Sequence, residues 1–291
     1  MRSQEEMFRL ILETAQADER IRAAFLNGSR ANPKVEPDRY RDYDVVFAVT
    51  EIDSFRTDSA WPSRFGEPAI IQEPMCNRMD GGEPEDCSRK FIWLMLFRDG
   101  VRLDLQIQRL DLVRETYGQD SLTVPLLDKD GLLPPLPPSD DSGYYVKKPT
   151  FTQYAGCTNE FWWCLNNVAK GIVRDQLPYV KWMFDSVVRE ALDHMADWYI
   201  GVRTGFSVSV GMAGKYYKKY LQPALYAQYA ATYADGEYMH IWAAVDSACD
   251  LFGALARGVG ESLGFSYREE EETAIRAYLR VMKEEFKAAQ G

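Results

Sequence analysis

Residues 21–30 read IRAAFLNGSR and residues 41–49 read RDYDVVFAV. The apolar run 21–26 predicts a strand that breaks at Asn27-Gly28-Ser29, and the Val-rich stretch 43–49 predicts a second strand. Alternate residues of a strand share a face, which places Asp42 and Asp44 side by side with Tyr43 turned away. Two adjacent carboxylates repel unless a cation lies between them or one of them keeps its proton. Mg²⁺ suits such a pair, being a hard ion that takes one or two carboxylates together with substrate phosphates. Gly28 and Ser29 allow a close backbone turn. Amides at a helix start beyond them would hold phosphate oxygens, and Arg30 would add a fixed positive charge.

Upstream, Met7, Leu10, Ile11 and Ala15 recur at helical spacing, so residues 3–18 are expected to be helical. Downstream, residues 91–98 and 101–109 form a hairpin across Asp99-Gly100, a strong two-residue turn signal. In its second arm Val101, Leu103, Leu105 and Ile107 point one way, and Arg102, Asp104, Gln106 and Gln108 the other. Asp104 then completes a three-carboxylate cluster with Asp42 and Asp44. Three carboxylates suit two Mg²⁺ ions that clamp a transferring phosphoryl group. A solvated strand edge explains an isolated Asp-x-Asp, and a plain turn explains an isolated Gly-Ser. The order strand, Gly-Ser, spacer, Asp-x-Asp strand, third Asp is what points to chemistry.

Gly131–Asp141 (GLLPPLPPSDD) holds four of the 14 prolines and reads as a connection between domains. Beyond it lie 14 of the 17 tyrosines and five of the seven tryptophans. A stripe from Val180 to Trp198, with residues 157–174, 237–262 and 268–288, has helical periods and is read as helix core. The expectation is an α+β domain over 1–135, a mixed sheet with flanking helices, followed by an all-α helical bundle over 136–291.

A formal net charge of −10 from 34 basic and 44 acidic residues weighs against a dedicated nucleic-acid binder. A hydrophobic share of 46% excludes wholesale disorder. Five cysteines without a CxxC pair and two histidines, His194 and His240, argue against structural zinc and a disulfide framework. The longest apolar run, Phe91–Phe97, falls far short of the ~20 residues of a membrane span. The opening MRSQEEMFRL contains no signal-peptide core. The expectation is a cytoplasmic protein without membrane partners.

The ordered Gly-Ser, Asp-x-Asp and Asp motifs match the nucleotidyltransferase superfamily. Residues 18–30 (DERIRAAFLNGSR), 41–53 (RDYDVVFAVTEID), 101–105 (VRLDL) and 126–130 (LLDKD) resemble the aminoglycoside 6-adenylyltransferases, the streptomycin-modifying enzymes. So do 144–149 (YYVKKP), 158–163 (TNEFWW), 168–171 (VAKG) and 214–221 (GKYYKKYL). The resemblance implies Mg²⁺-ATP-dependent transfer of AMP to a hydroxyl of streptomycin, with release of pyrophosphate. It also implies a catalytic nucleotidyltransferase domain in front of a helical domain, with the cationic aminoglycoside bound in a cleft between them. Asp42, Asp44 and Asp104 map onto the family's metal carboxylates.

Lys215, Lys218 and Lys219 share a face if their segment is helical. The resemblance turns this patch from an ordinary solvated face towards the ATP triphosphate, and Lys147 and Lys148 are alternatives. The attacking hydroxyl needs a base. Glu160, read as lying at a helix start, and Asp185 are both candidates, and both are also substrate-binding candidates. A first-turn glutamate also matches the helix dipole, and Asp185 forms a surface ladder with Lys181 and Arg189. Trp163 or Trp162 is placed to stack on a guanidinium of the substrate, the other being core. Asn77–Asp86 reads as a surface loop. A different hydroxylated acceptor, a protein acceptor, and a non-catalytic nucleotide-binding module are the rival readings.

Overall fold

The computed structural model describes residues 1–77 and 79–290. Two compact units follow one another, Met1–Gly143 and Tyr144–Gly291, and each is described by itself. The expected boundary at 135/136 moves to Gly143 because the Pro-rich segment is tied back onto the first unit. Lys34 Nζ pairs with Asp141 Oδ1 at 2.6 Å, and Ser121 Oγ donates to the Asp140 carbonyl at 2.8 Å.

The first unit contains helices α1 (Gln4–Ala17), α2 (Asp53–Thr57) and α3 (Leu110–Thr116). Its strands are β1 (Ile21–Asn27), β2 (Tyr43–Val49), β3 (Pro68–Gln72), β4 (Lys90–Phe97), β5 (Arg102–Arg109) and β6 (Val124–Asp128). They form one six-stranded sheet in the order β3-β4-β5-β2-β1-β6. Only β2 and β5 run parallel; the other neighbours are antiparallel, so the sheet is mixed. Ser3 caps α1 through a reciprocal box with Glu6, and Met7, Ile11 and Ala15 are fully buried. The hairpin turns at Gly100, whose φ of +82° favours glycine, and Leu103, Leu105 and Ile107 are buried. Both sheet faces are covered. Val45, Phe47 and Val49 join the larger core, whereas Val46 and Ala48 join a smaller one with Phe25 and Val113. Asp44 and Asp104 lie towards the starts of β2 and β5, on that second face.

The second unit is helical, as its periodicity predicts. Its helices are α4 (Phe151–Val173), α5 (Leu177–Trp182), α6 (Arg189–Thr204), α7 (Tyr217–Tyr220), α8 (Pro223–Ala231), α9 (Tyr238–Leu263) and α10 (Glu269–Gln290). A π-helical segment, Met183–Val188, joins α5 to α6. The first helix starts well before residue 157, because Thr150 and Gln153 form a capping box that nucleates α4 there. Phe161 stacks on Phe252 with centroids 3.7 Å apart, and Trp162 Nε1 donates to Tyr267 Oη at 2.9 Å. Trp162 is therefore the core tryptophan of its pair, and Trp163 is 64% exposed. Of the loop 77–86, Arg78 lies outside the described residues.

Candidate active site

The register of three neighbouring strands builds the carboxylate site. Asn27 at the end of β1 pairs with Asp44, and Asp44 pairs with Asp104 across β2 and β5. Gly28 turns the chain away from β1 with φ +69°, and a Cβ on it would stand 2.2 Å from Asp44 Oδ2. Only a glycine lets the backbone pass this close to the carboxylate. Beyond it lies a single 3₁₀ turn, Gly28–Ala31, where a helix start was expected. Asn27 Oδ1 accepts from Thr123 Oγ1 at 3.1 Å, which ties the end of β1 to the segment before β6.

Asp42 lies one residue before β2 rather than in the strand beside Asp44. Arg102, on the same face of β5 as Asp104, decides what neutralises the group. Its Nε and Nη2 donate to the two oxygens of Asp104 at 2.8 and 2.7 Å, and its Nη1 lies 3.5 Å from Asp42 Oδ2. Among the described residues no three carboxylates, thiols or imidazoles stand as ready metal ligands. Here a guanidinium supplies the cation that adjacent aspartates require. By donor chemistry the three carboxylates still fit a hard divalent ion once Arg102 yields an oxygen. Burial, then the charges of Asp104 and Asp42, push the Asp44 carboxyl up to about 6.

Arg30 is engaged elsewhere than expected. Its Nε donates to the Asp42 carbonyl at 2.9 Å, its Nη1 to Gln4 Oε1 at 2.9 Å and its Nη2 to the Arg41 carbonyl at 2.5 Å. Its guanidinium lies 3.7 Å over the Tyr43 ring. Arg30 thus clamps the backbone that carries Asp42 instead of offering a free charge beside Ser29. Arg41 donates to the Ser29 carbonyl, and its buried Nε has no partner. Sequence reading missed Arg41 and the role of Arg102, although alternation along β5 already placed Arg102 and Asp104 on one face.

The remaining candidates belong to the second unit. Glu160 is mid-helix in α4, so matching to the helix dipole does not explain it. It accepts from Cys164 Sγ at 3.2 Å and borders a cavity of about 410 Å³ with Gln153, Glu190, His194 and Trp198. Asp185 sits in the π-helical segment, 2.8 Å from Lys181 Nζ and 3.9 Å from Arg189 Nη2, the ladder its spacing predicts. It borders a different recess of about 330 Å³, shared with Arg189, Asp193, Asp197 and Tyr217. Glu160 and Asp185 thus line different recesses, which share Glu190 and His194 as walls.

Lys215 does not share a helix face with Lys218 and Lys219. Gly211, Ala213 and Gly214 all have left-handed φ, and Lys215 follows a 3₁₀ turn while the other two lie in the four-residue α7. Lys215 Nζ lies 5.2 Å over Tyr216, and Lys219 Nζ 5.1 Å over Tyr220.

A mixed sheet with carboxylates at the ends of two parallel strands, followed by a helical unit, is the architecture expected of a nucleotidyltransferase. Residues 1–282 match the family model for streptomycin adenylyltransferase, and the chain belongs to that family of nucleotidyltransferase enzymes. It is 34% identical to the aminoglycoside 6-adenylyltransferase of Campylobacter jejuni over 97% of both chains. It is 32% identical to that of Bacillus subtilis (strain 168), over 94% of this chain and 95% of the relative. The crystal structure of an aminoglycoside 6-adenyltransferase from Bacillus subtilis covers 97% of this chain and 99% of its own, with 28% identity and a TM-score of 0.47.

Proposed function

We propose that this protein transfers AMP from Mg²⁺-ATP to a hydroxyl of an aminoglycoside, with streptomycin as acceptor, and releases pyrophosphate. The observation that carries the reading is Asp44, pressed against Gly28 on one side and paired in register with Asp104 on the other. That arrangement stands in a chain matched almost end to end by its family. Asp42, Asp44 and Asp104 would hold two magnesium ions. When bound, these neutralise charge on the phosphates and polarise the reacting phosphorus.

The chain's own residues do the rest. Gly28 and Ser29 offer backbone close to the phosphates, and Arg30 keeps the Asp42 backbone in place. Lys215, Lys218 and Lys219 supply positive charge for the β- and γ-phosphates in an otherwise acidic chain. The acceptor hydroxyl gives its proton to a carboxylate, for which Glu160 and Asp185 are the candidates. Its oxygen bonds to the α-phosphorus as the bond to the bridging oxygen of pyrophosphate breaks. Trp163, exposed on the helix that carries Glu160, offers a face for a guanidinium. Five free cysteines fit a reducing compartment, so the reaction is assigned to the cytoplasm.

Mass spectrometry of streptomycin after incubation with the protein, ATP and Mg²⁺ tests the reading. Streptomycin carrying one added AMP, with pyrophosphate released, supports it. Unmodified streptomycin alongside AMP on another acceptor replaces the aminoglycoside with that acceptor. No Mg²⁺-dependent ATP turnover with any acceptor favours a binding module.

A further inference from the structure

The recess beside Asp185 contains charge that the reaction does not use. Asp193 and Asp197 stand one turn apart on α6, on the face that meets Tyr217 and Tyr229. Tyr229 Oη donates to Asp193 Oδ1 at 2.8 Å, and Tyr217 Oη to Asp197 Oδ1 at 2.5 Å. Each phenol fixes one oxygen of its carboxylate. Among the described residues the second oxygen of each accepts no hydrogen bond, and neither carboxylate has an ion pair within 4.0 Å. Burial raises both carboxyls above the ordinary aspartate range. Two partly buried carboxylates oriented by phenols, with the Arg189 guanidinium acting on Asp193 from beyond ion-pair distance, are placed to take a further cation.

A second observation comes from the wall of the same recess. Arg189 is 8% exposed, held by Nη1 and Nη2 on Thr232 Oγ1 and the Thr232 carbonyl, yet its buried Nε has no acceptor. Asp185 Oδ1, also buried, accepts no hydrogen bond and lies 3.9 Å from Arg189 Nη2. Arg189 thus leaves a donor unfilled and Asp185 an acceptor, and a hydroxyl is able to serve either kind of group because it accepts and donates. A bare metal ion would satisfy only the acceptors, and no cluster of metal-ligand geometry occurs among the described residues.

We propose that this recess is a binding site for a hydroxylated organic cation, in which Asp193 and Asp197 receive a guanidinium or ammonium group and Arg189 with Asp185 receives a neighbouring hydroxyl. The site deepens the aminoglycoside reading and rests on it. It assigns recognition of the acceptor's charge to two residues of α6 that no spacing in the sequence singled out. Asp185 is on this assignment a binding residue held by Lys181 and Arg189, which leaves Glu160 as the carboxylate available to take a proton.

The test is calorimetric binding of streptomycin to the full chain and to Asp193→Asn and Asp197→Asn, with steady-state kinetics in both substrates. Asparagine keeps an oxygen for the tyrosine and removes the charge. Each variant should weaken streptomycin at least about tenfold in Kd and raise its KM. Affinity for ATP should stay within about twofold of the unmodified protein, an outcome that a general loss of structure would not produce. If the unmodified protein adds AMP to streptomycin but both variants bind it as before, the recess is not the cation site, although the activity stands. If the unmodified protein neither binds nor modifies streptomycin, the aminoglycoside reading itself fails and this assignment with it. Should one variant not fold, as judged by its thermal melt, the other decides.

Discussion

Arg102 holds both oxygens of Asp104, at 2.8 and 2.7 Å, from two residues away on the same strand face. It is the counter-charge that lets three aspartates crowd the ends of β2 and β5. Arg102→Ala should therefore cost stability chiefly when no divalent ion is supplied. The guanidinium is partly exposed, so the loss is modest, about 1 kcal/mol. Thermal melts in chelator and in Mg²⁺ check this: the variant should gain more from Mg²⁺ than the unmodified protein. An equal gain would remove Arg102 from the electrostatics of the site.

Gly28→Ala should disable the site without any change of charge. The new Cβ would lie 2.2 Å from Asp44 Oδ2, and φ at this position is +69°. The backbone conformation alone costs roughly 1–2 kcal/mol for a residue with a Cβ. Asp44 has to move away, and turnover should fall by on the order of 10²-fold, as when one electrostatic contact to the transition state is lost. Steady-state kinetics on protein shown to be folded by circular dichroism would decide it.

Asp197 gives a stability effect with a definite pH sign. Its carboxyl is pushed up to about 6 by burial, against an ordinary value of 3.8. The unfolded chain thus ionises first. The protonated group imposes no penalty at low pH, and a penalty grows as pH rises from about 4 to about 6. Asp197→Asn should stabilise the protein at pH 7–8 by on the order of 1–3 kcal/mol, with the gain shrinking to nothing near pH 4. Urea denaturation across this range measures it, and a gain independent of pH would refute the assignment.

The proton acceptor can be separated from the binding carboxylate. Glu160→Gln should depress kcat by about 10²–10⁴-fold with little change in streptomycin Kd, the range expected for loss of a positioned base. Asp185→Asn should weaken affinity first. The reverse pattern would exchange the two roles.

Adjacent tryptophans should behave oppositely. Trp162 is 1% exposed and hydrogen-bonded to Tyr267, so Trp162→Ala should cost about 3–5 kcal/mol. Trp163→Ala should change stability by less than about 0.5 kcal/mol while raising the streptomycin KM. Chemical denaturation and kinetics on both variants check the pair.

Local periodicity was enough to identify β1, β2, the hairpin of β4 and β5, and the long helices, because burial of one strand or helix face repeats every two or three to four residues. The motif order 28–30, 42–44 and 104 likewise singled out three carboxylates, of which pairing of β2 with β5 brings Asp44 opposite Asp104. What the chain does with those charges was decided only by tertiary structure. Arg102 neutralises Asp104, Arg30 binds backbone carbonyls instead of standing free, and Lys215 leaves the helix of its neighbours at three left-handed residues. The recess around Asp193 and Asp197 was equally invisible. Its phenols come from Tyr217 and Tyr229, and its arginine is held by Thr232, 43 residues along the chain. Spacing reports which face a residue shares with its sequence neighbours. The partner that satisfies or strands a buried charge comes from distant segments, and only packing brings them together.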